Sequence, residues 1–229
     1  MKIASFQTMQ EKENVIVIGG GPSFDFVINK VIKLKEELSA LIIGIHWGFK
    51  HIRPDYTLFI TPGKFREAQD KLPGHFLLGP RIKSINKKNR KRSLGIKYGQ
   101  KLALWDGYDF LEKNEILFSA CGFEAIMLAC FCKPKNIAIV GFDGFEVKNN
   151  KLVVRHSVSS TAPRALITFN SEVQKKRDIK MEQKRCEDLA RLINYITNQK
   201  KINFYVFEKD RLKGLDKSKF KDNQRFFVL

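Results

Sequence analysis

The sequence has no apolar run near the ~20 residues that a membrane-spanning helix requires. Its first segment, residues 1–14, also lacks the apolar core of a secretory signal peptide. We therefore expect a cytoplasmic protein. With 229 residues, of which 43% are hydrophobic and 29% charged, the chain has enough apolar material for one globular domain and too little net polarity for wholesale disorder.

Cysteine is scarce, and its spacing argues against a structural metal site. The four cysteines at positions 121, 130, 132 and 186 do not form the paired spacings of a zinc site. We expect reduced thiols, no bound metal and no cofactor.

Acidic residues are few relative to basic ones: 24 Asp and Glu stand against 42 Lys and Arg, a formal net charge of +18. Nine basic residues and no acid lie between Arg81 and Lys101, and seven basic residues stand against three acids from Lys209 onward. Such runs favour contact with an anionic partner, such as a phosphorylated glycolipid or the inner face of an anionic membrane. A solvated charge run is the alternative. No aromatic-interleaved RNA-binding motif is present, which disfavours nucleic acid.

Short β-branched runs that end near glycine or proline alternate with segments of helical periodicity. Strands are predicted at 14–18, 40–45, 56–60, 136–141 and 202–207, and helices at 24–38, 118–132 and 171–199. Two short apolar runs, at 75–78 and 101–105, bracket the basic run at 81–101. This alternation predicts a Rossmann-like α/β fold, an open, mostly parallel sheet with helices on both faces. We expect a single domain over residues 1–208, a lid-like loop over 144–170, and a basic tail over 209–229.

The first predicted strand ends in Gly19, Gly20 and Gly21, followed by Pro22 and Ser23. Glycines allow positive φ and close approach to a ligand, and the helix behind them would direct N–H groups at a phosphate. The loop therefore predicts an anion cradle. It has neither the Walker spacing nor the G-x-G-x-x-G spacing of dinucleotide-binding loops. A tight turn without a ligand is the alternative.

The start of the buried helix offers a second candidate for nucleotide binding. Ser119, Ala120, Cys121 and Gly122 would place a hydroxyl, a thiol and backbone amides there. Two helix N-termini facing one crevice would hold a diphosphate or a nucleotide monophosphate. A simple serine N-cap is the alternative.

An acid and two histidines complete the candidate site. Asp143 follows a strand at the edge where open parallel sheets bind ligands, and it could contact a sugar hydroxyl, orient a histidine or hold Mg²⁺; a turn aspartate is the alternative. His156 lies in the lid-like segment, where a general base or phosphate donor would act. His46 could cover a base or sugar ring. A surface or packing role is the alternative for both histidines, and we assign it to His51 and His75.

These motifs resemble those of the bacterial sialyltransferases of lipooligosaccharide synthesis. The wider superfamily includes motility-associated flagellin glycosyltransferases and pterin diphosphokinases. The run 19–23 is similar to the family's Gly-Asn-Gly-Pro-Ser loop. The run 120–122 followed by an apolar helix and a strand ending at Asp143 is similar to its Thr-Ser-Gly turn, helix and Gly-x-Asp strand. Gly20, His46 and the pair Ala120-Cys121 differ from the family's usual residues.

The resemblance implies a glycosyltransferase that uses a nucleotide sugar, with cytidine monophosphate (CMP) contacted by residues 19–23 and 120–122 and with Asp143 nearby. It also implies metal-independent, inverting displacement with His156, in a sequence similar to the family's Gly-His-Ser, as the base. The acceptor would be a surface glycan or glycolipid. Two alternatives stay open: a pterin-type diphosphokinase that needs ATP and Mg²⁺, and a noncatalytic binder of RNA or acidic glycans.

Overall fold

The computed structural model describes residues 2–3, 9–21, 23–45, 52–59, 75–78, 121–142, 145–148, 151–155, 164–168, 171–207, 217–220 and 222–229. The apolar run at 101–105 and the basic run at 81–101 lie outside these residues. The strands are β1 Lys2–Ile3, β2 Asn14–Ile18, β3 Leu41–Ile45, β4 Tyr56–Phe59, β5 His75–Leu78, β6 Asn136–Val140, β7 Phe145–Lys148, β8 Lys151–Arg155, β9 Arg164–Thr168, β10 Asn203–Val206 and β11 Phe226–Val228. The α-helices are α1 Ser23–Glu37, α2 Cys121–Cys130 and α3 Glu172–Asn194, which continues as a π-helical turn over Tyr195–Gln199; a 3₁₀ turn covers Lys217–Phe220.

Eight of the described strands form one sheet in the order β1-β5-β4-β3-β2-β6-β10-β11. Every pairing in this sheet is parallel. From β2 the chain moves outward through β3, β4 and β5, and it then returns to β6 on the other side of β2. The strand order therefore reverses between β2 and β6, which makes the space beyond their carboxyl ends the topological switch point of the sheet.

Helices cover both faces of the sheet. The side chains of each central strand alternate between the two faces and are buried on both. Val15 and Val17 of β2 pack in one core cluster with α2 and α3, whereas Ile16 and Ile18 pack in a second cluster with Phe24 of α1. The predicted Rossmann-like α/β class is thus confirmed. No helix of the described residues is long and apolar enough to cross a membrane.

The segment 144–170 corrects one prediction, because it is not simply a loop. It contains β7, β8 and β9, which form a separate antiparallel sheet. Lys148 pairs with Lys151, and two asparagines separate these paired residues. Two turn-forming residues between β-branched runs are typical of a hairpin. The many Ser, Thr, Pro and Arg residues further along the segment obscure this signal, because they are typical of a loop.

The segment 209–229 corrects a second prediction, because its end belongs to the main sheet. β11 pairs in parallel with β10, and Leu229 N–H donates to the Val206 carbonyl at 2.8 Å. The ring of Phe227 stacks on Tyr205 with centroids 4.8 Å apart. The segment predicted as a basic tail therefore ends in a strand, β11, which contains the aromatic residues near the C-terminus.

Three asparagines form a ladder at the amino ends of the central strands. Asn14, Asn136 and Asn203 occupy paired positions of β2, β6 and β10. Asn136 Nδ2 donates to Asn14 Oδ1 at 2.8 Å, and Asn203 Nδ2 donates to Asn136 Oδ1 at 3.0 Å. Arg225 Nη1 extends the ladder by donating to Asn203 Oδ1 at 3.1 Å. The ladder ties β11 and the three central strands together at the edge opposite the switch point.

Asn136→Ala is expected to lower the free energy of unfolding by about 1–3 kcal/mol, because it leaves partly buried polar atoms of Asn14 and Asn203 without their partner. The urea unfolding midpoint measures this loss. The exposed Asn198 provides a control, since Asn198→Ala should change the free energy by less than about 0.5 kcal/mol. Equal midpoints for Asn136→Ala and wild type would show that the ladder contributes no stability.

Two thiols are expected to react slowly in the folded protein. Burial raises the pKa of the Cys132 thiol to about 12. Burial, followed by the neighbouring carboxylates of Glu182 and Glu187, raises the pKa of the Cys186 thiol to about 11. Because the thiolate is the reactive form, alkylation of both at pH 8 should be at least about 100-fold slower in the native protein than in urea. Peptide mass spectrometry locates the label, and equal native and unfolded rates would refute the assignment.

Candidate functional site

The loops that follow β2 and β6 are joined by backbone hydrogen bonds at the switch point. Gly19 N–H donates to the Val140 carbonyl at 2.7 Å, and Gly21 N–H donates to the Gly141 carbonyl at 2.8 Å. The β2–β6 pairing therefore continues beyond the ends of both strands, and it holds the glycine run against the end of β6.

These bonds change the role that the glycine run can have. The sequence predicts an anion cradle, but the N–H groups of Gly19 and Gly21 are already paired with backbone carbonyls. A phosphate at this edge would therefore have to be held by other groups. The glycine run joins the ends of β2 and β6 through these two hydrogen bonds, a contact that we call the backbone clamp. Any contact of Gly19, Gly20 and Gly21 with a ligand remains a prediction.

The clamp requires glycine at two facing positions. Gly141 has a φ of +74°, in the left-handed region that favours glycine, and a Cβ there would lie 2.7 Å from the Gly19 carbonyl oxygen. In the reverse direction, a Cβ on Gly19 would lie 2.5 Å from the Gly141 carbonyl oxygen. Since the obstructing atoms are backbone, neither position accepts a side chain without movement of a strand end.

The ring of Phe142 lies between the glycine run and the start of α2. A Cβ on Gly122 would lie 2.4 Å from Cε1 of this ring, and a Cβ on Gly19 would lie 3.2 Å from its Cδ2. The ring is partly buried against the core cluster that contains α2. Gly19, Gly122 and Phe142, which come from three separate segments, therefore meet at one place on the carboxyl edge of the sheet.

The two helices that begin at this edge each carry an acid in the first turn. Asp25 of α1 is exposed, and Glu124 of α2 is fully buried. Ser23, which opens α1, is only 2% exposed, and Phe24 N–H donates to the Gly21 carbonyl at 3.2 Å. Acids stabilise helix N-termini through the helix dipole, so the exposed carboxylate of Asp25 offsets part of the positive potential that would attract a phosphate to the start of α1.

Several predicted site residues lie outside the described part of the chain. These are Pro22, His46, Ser119, Ala120, Asp143 and His156, and for Cys121 only the backbone is described. Their contacts with a ligand remain predictions. Among the residues that the structure describes, no group of three or more His, Cys, Asp or Glu side chains is arranged to hold a metal ion.

Two residues at this edge are not predicted as site residues from the sequence. Phe142 is the middle residue of the run Gly141–Asp143, and nothing in its local sequence indicates that its ring reaches Gly19 and Gly122. Glu124 interrupts a helix whose other positions are almost all apolar. That interruption is a usable signal, because a charged side chain on a helix buried all round is uncommon and indicates a specific environment.

The sequence matches no family model and no curated protein. Among solved structures, it is similar to the MAf glycosyltransferase from Magnetospirillum magneticum AMB-1, with 12% sequence identity and a TM-score of 0.45. The similarity covers 98% of this chain and 39% of the other. The chain therefore spans well under half the length of that protein.

Proposed function

We propose that the protein is a glycosyltransferase that binds a nucleotide-activated sugar at the switch point between β2 and β6. The sugar would be transferred to a surface glycan or glycolipid, with CMP as the leaving group. The resemblance of residues 19–23 and 120–122 to sialyltransferase motifs supports the cytidine donor.

One observation carries the proposal: the loops after β2 and β6 and the first turn of α2 meet beyond the carboxyl ends of the two strands. Gly19, Gly122 and Phe142 define this meeting point. Open parallel sheets bind their ligands beyond the carboxyl ends of the strands, at such a reversal of strand order. The location supports ligand binding, while the choice of a nucleotide sugar rests on the motif resemblance.

The proposed reaction is a single displacement with inversion at the anomeric carbon. An acceptor hydroxyl attacks this carbon while its proton passes to His156. The bond between the anomeric carbon and the phosphate oxygen breaks, and CMP leaves with the bonding electrons. No metal takes part in the proposed step, so the charge on the leaving phosphate is stabilised by protein groups.

A thermal-shift panel tests the ligand class, since a ligand that binds only the native state raises its stability by mass action. CMP, CDP, UDP, ADP and ATP are each added with and without Mg²⁺. We expect CMP without metal to stabilise the protein by about 2.7 kcal/mol at 100 times its Kd. Transfer from a CMP-linked sugar to a glycolipid acceptor is then measured directly.

Other outcomes of the panel would identify the alternatives. Stabilisation by ATP only in the presence of Mg²⁺ would replace the proposal with a diphosphokinase. No nucleotide effect, together with RNA binding that weakens steeply with salt, would replace it with a noncatalytic binder.

A further inference from the structure

The Phe142 ring is contacted along one edge by Gly122. A Cβ on Gly122 would lie 2.4 Å from Cε1 and 3.3 Å from both neighbouring ring carbons, Cδ1 and Cζ. The Cβ position of Gly122 is therefore equally far from the two neighbouring carbons and clearly closer to Cε1, which means that it lies in the plane of the ring. A Cβ position above the face of the ring would be closer to those two neighbours.

The second glycine lies at the opposite edge of the same ring. The ring atom nearest to a Cβ on Gly19 is Cδ2, at 3.2 Å, and Cδ2 is directly across the ring from Cε1. The two glycines therefore lie nearest to opposite carbons of one ring, and the absence of a side chain on Gly122 makes room for it. Contact with Gly122 in the plane of the ring restricts the ring's orientation without covering either face.

Phe142 is only partly buried where it packs against the core, so the residue is not enclosed by the protein. Its position directly after β6 places this residue at the switch point. An aromatic face held in a fixed plane suits a flat π-system such as a nucleobase, and stacking does not depend on backbone amides. This matters here because the N–H groups of Gly19 and Gly21 are already paired.

We propose that Phe142 is the platform on which the base of the bound nucleotide stacks, an inference that rests on the proposed nucleotide-binding function. Phe142 would then recognise the nucleoside part of the donor, while groups elsewhere at the edge hold its phosphate. Affinity for a nucleotide would depend on the ring, and affinity for a sugar phosphate without a base would not.

The test compares CMP with ribose 5-phosphate, which lacks the base, by isothermal titration of wild type and Phe142→Leu. Leucine keeps apolar bulk between the two glycines but has no aromatic face. We expect Phe142→Leu to weaken CMP binding by about 5- to 150-fold and to change ribose 5-phosphate binding less than about twofold. Phe131→Leu, at the other end of α2 in the same core cluster, is the matched control and should change neither affinity.

The outcomes separate this inference from the function on which it rests. If wild type binds neither ligand, the proposed function fails and the inference fails with it. If wild type binds CMP and Phe142→Leu weakens both ligands equally, or neither, the inference alone is overturned. Should Phe142→Leu not fold, wild type with protonated phenylalanine in a deuterated background should show nuclear Overhauser effects from a ring to H5 and H6 of CMP, and their absence would overturn the inference.

Discussion

Replacing Gly141 by alanine is expected to lower the free energy of unfolding by about 2–5 kcal/mol and to abolish stabilisation by CMP. Two costs add. A non-glycine residue at a φ of +74° costs about 1–2 kcal/mol, and a methyl group 2.7 Å from the Gly19 carbonyl oxygen costs about 1–3 kcal/mol as the strand ends separate. Separation would also weaken the Gly21 N–H bond to the Gly141 carbonyl, so the loop at the proposed crevice would lose its position.

Thermal unfolding with and without CMP measures both effects of Gly141→Ala. A loss of this size corresponds to a fall in Tm of about 5–15 °C for a domain of this length. Asn136→Ala is the matched control, because it destabilises the amino end of the same strand and should retain the CMP response. If Gly141→Ala unfolds at the wild-type temperature, the backbone clamp between β2 and β6 is not the structure that the protein adopts.

His156→Ala is expected to reduce sugar transfer by about 10²- to 10⁴-fold while it changes CMP affinity less than about twofold. The proposed base takes a proton from the acceptor hydroxyl, so its loss raises the barrier for transfer and leaves donor binding intact. Single-turnover transfer and CMP titration on the same samples separate the two quantities.

His51→Ala is the matched control for His156→Ala, since His51 is predicted to be a surface or packing histidine. Its transfer rate should equal that of wild type. Undiminished turnover in His156→Ala would remove this histidine from the mechanism, and an equal loss in both variants would show that the effect is not specific to the proposed base.

Local sequence patterns predicted most of the main sheet and its helices. β2 and β6 are β-branched runs that stop at glycine, and the apolar periodicity behind Gly21 gave α1 to within one residue at each end. These signals work because a buried parallel strand and an amphipathic helix each impose a pattern on their own residues. The strands β7, β8 and β9 were missed because short antiparallel strands joined by polar segments impose a weaker pattern.

The candidate site was predictable in location but not in detail. The sequence indicated that the run 19–21 and Gly122 would lie at one edge, and the structure brings Gly19 and Gly122 to opposite sides of one ring. The pairing of the Gly19 and Gly21 amides depends on which strand lies beside β2. That neighbour, β6, is more than 100 residues away in sequence, so the local motif could not reveal that two amides of the expected cradle are occupied.

Hydrogen–deuterium exchange in the presence of CMP is the most direct measurement of where a nucleotide binds. Amides at the start of α1 and of α2 should exchange more slowly when CMP is bound, because ligand binding suppresses local opening at its site. Peptides from β11, distant in strand order from the switch point, should be unchanged. Protection confined to other segments, such as the basic run at 81–101, or no protection at all, would contradict nucleotide binding at the switch point between β2 and β6.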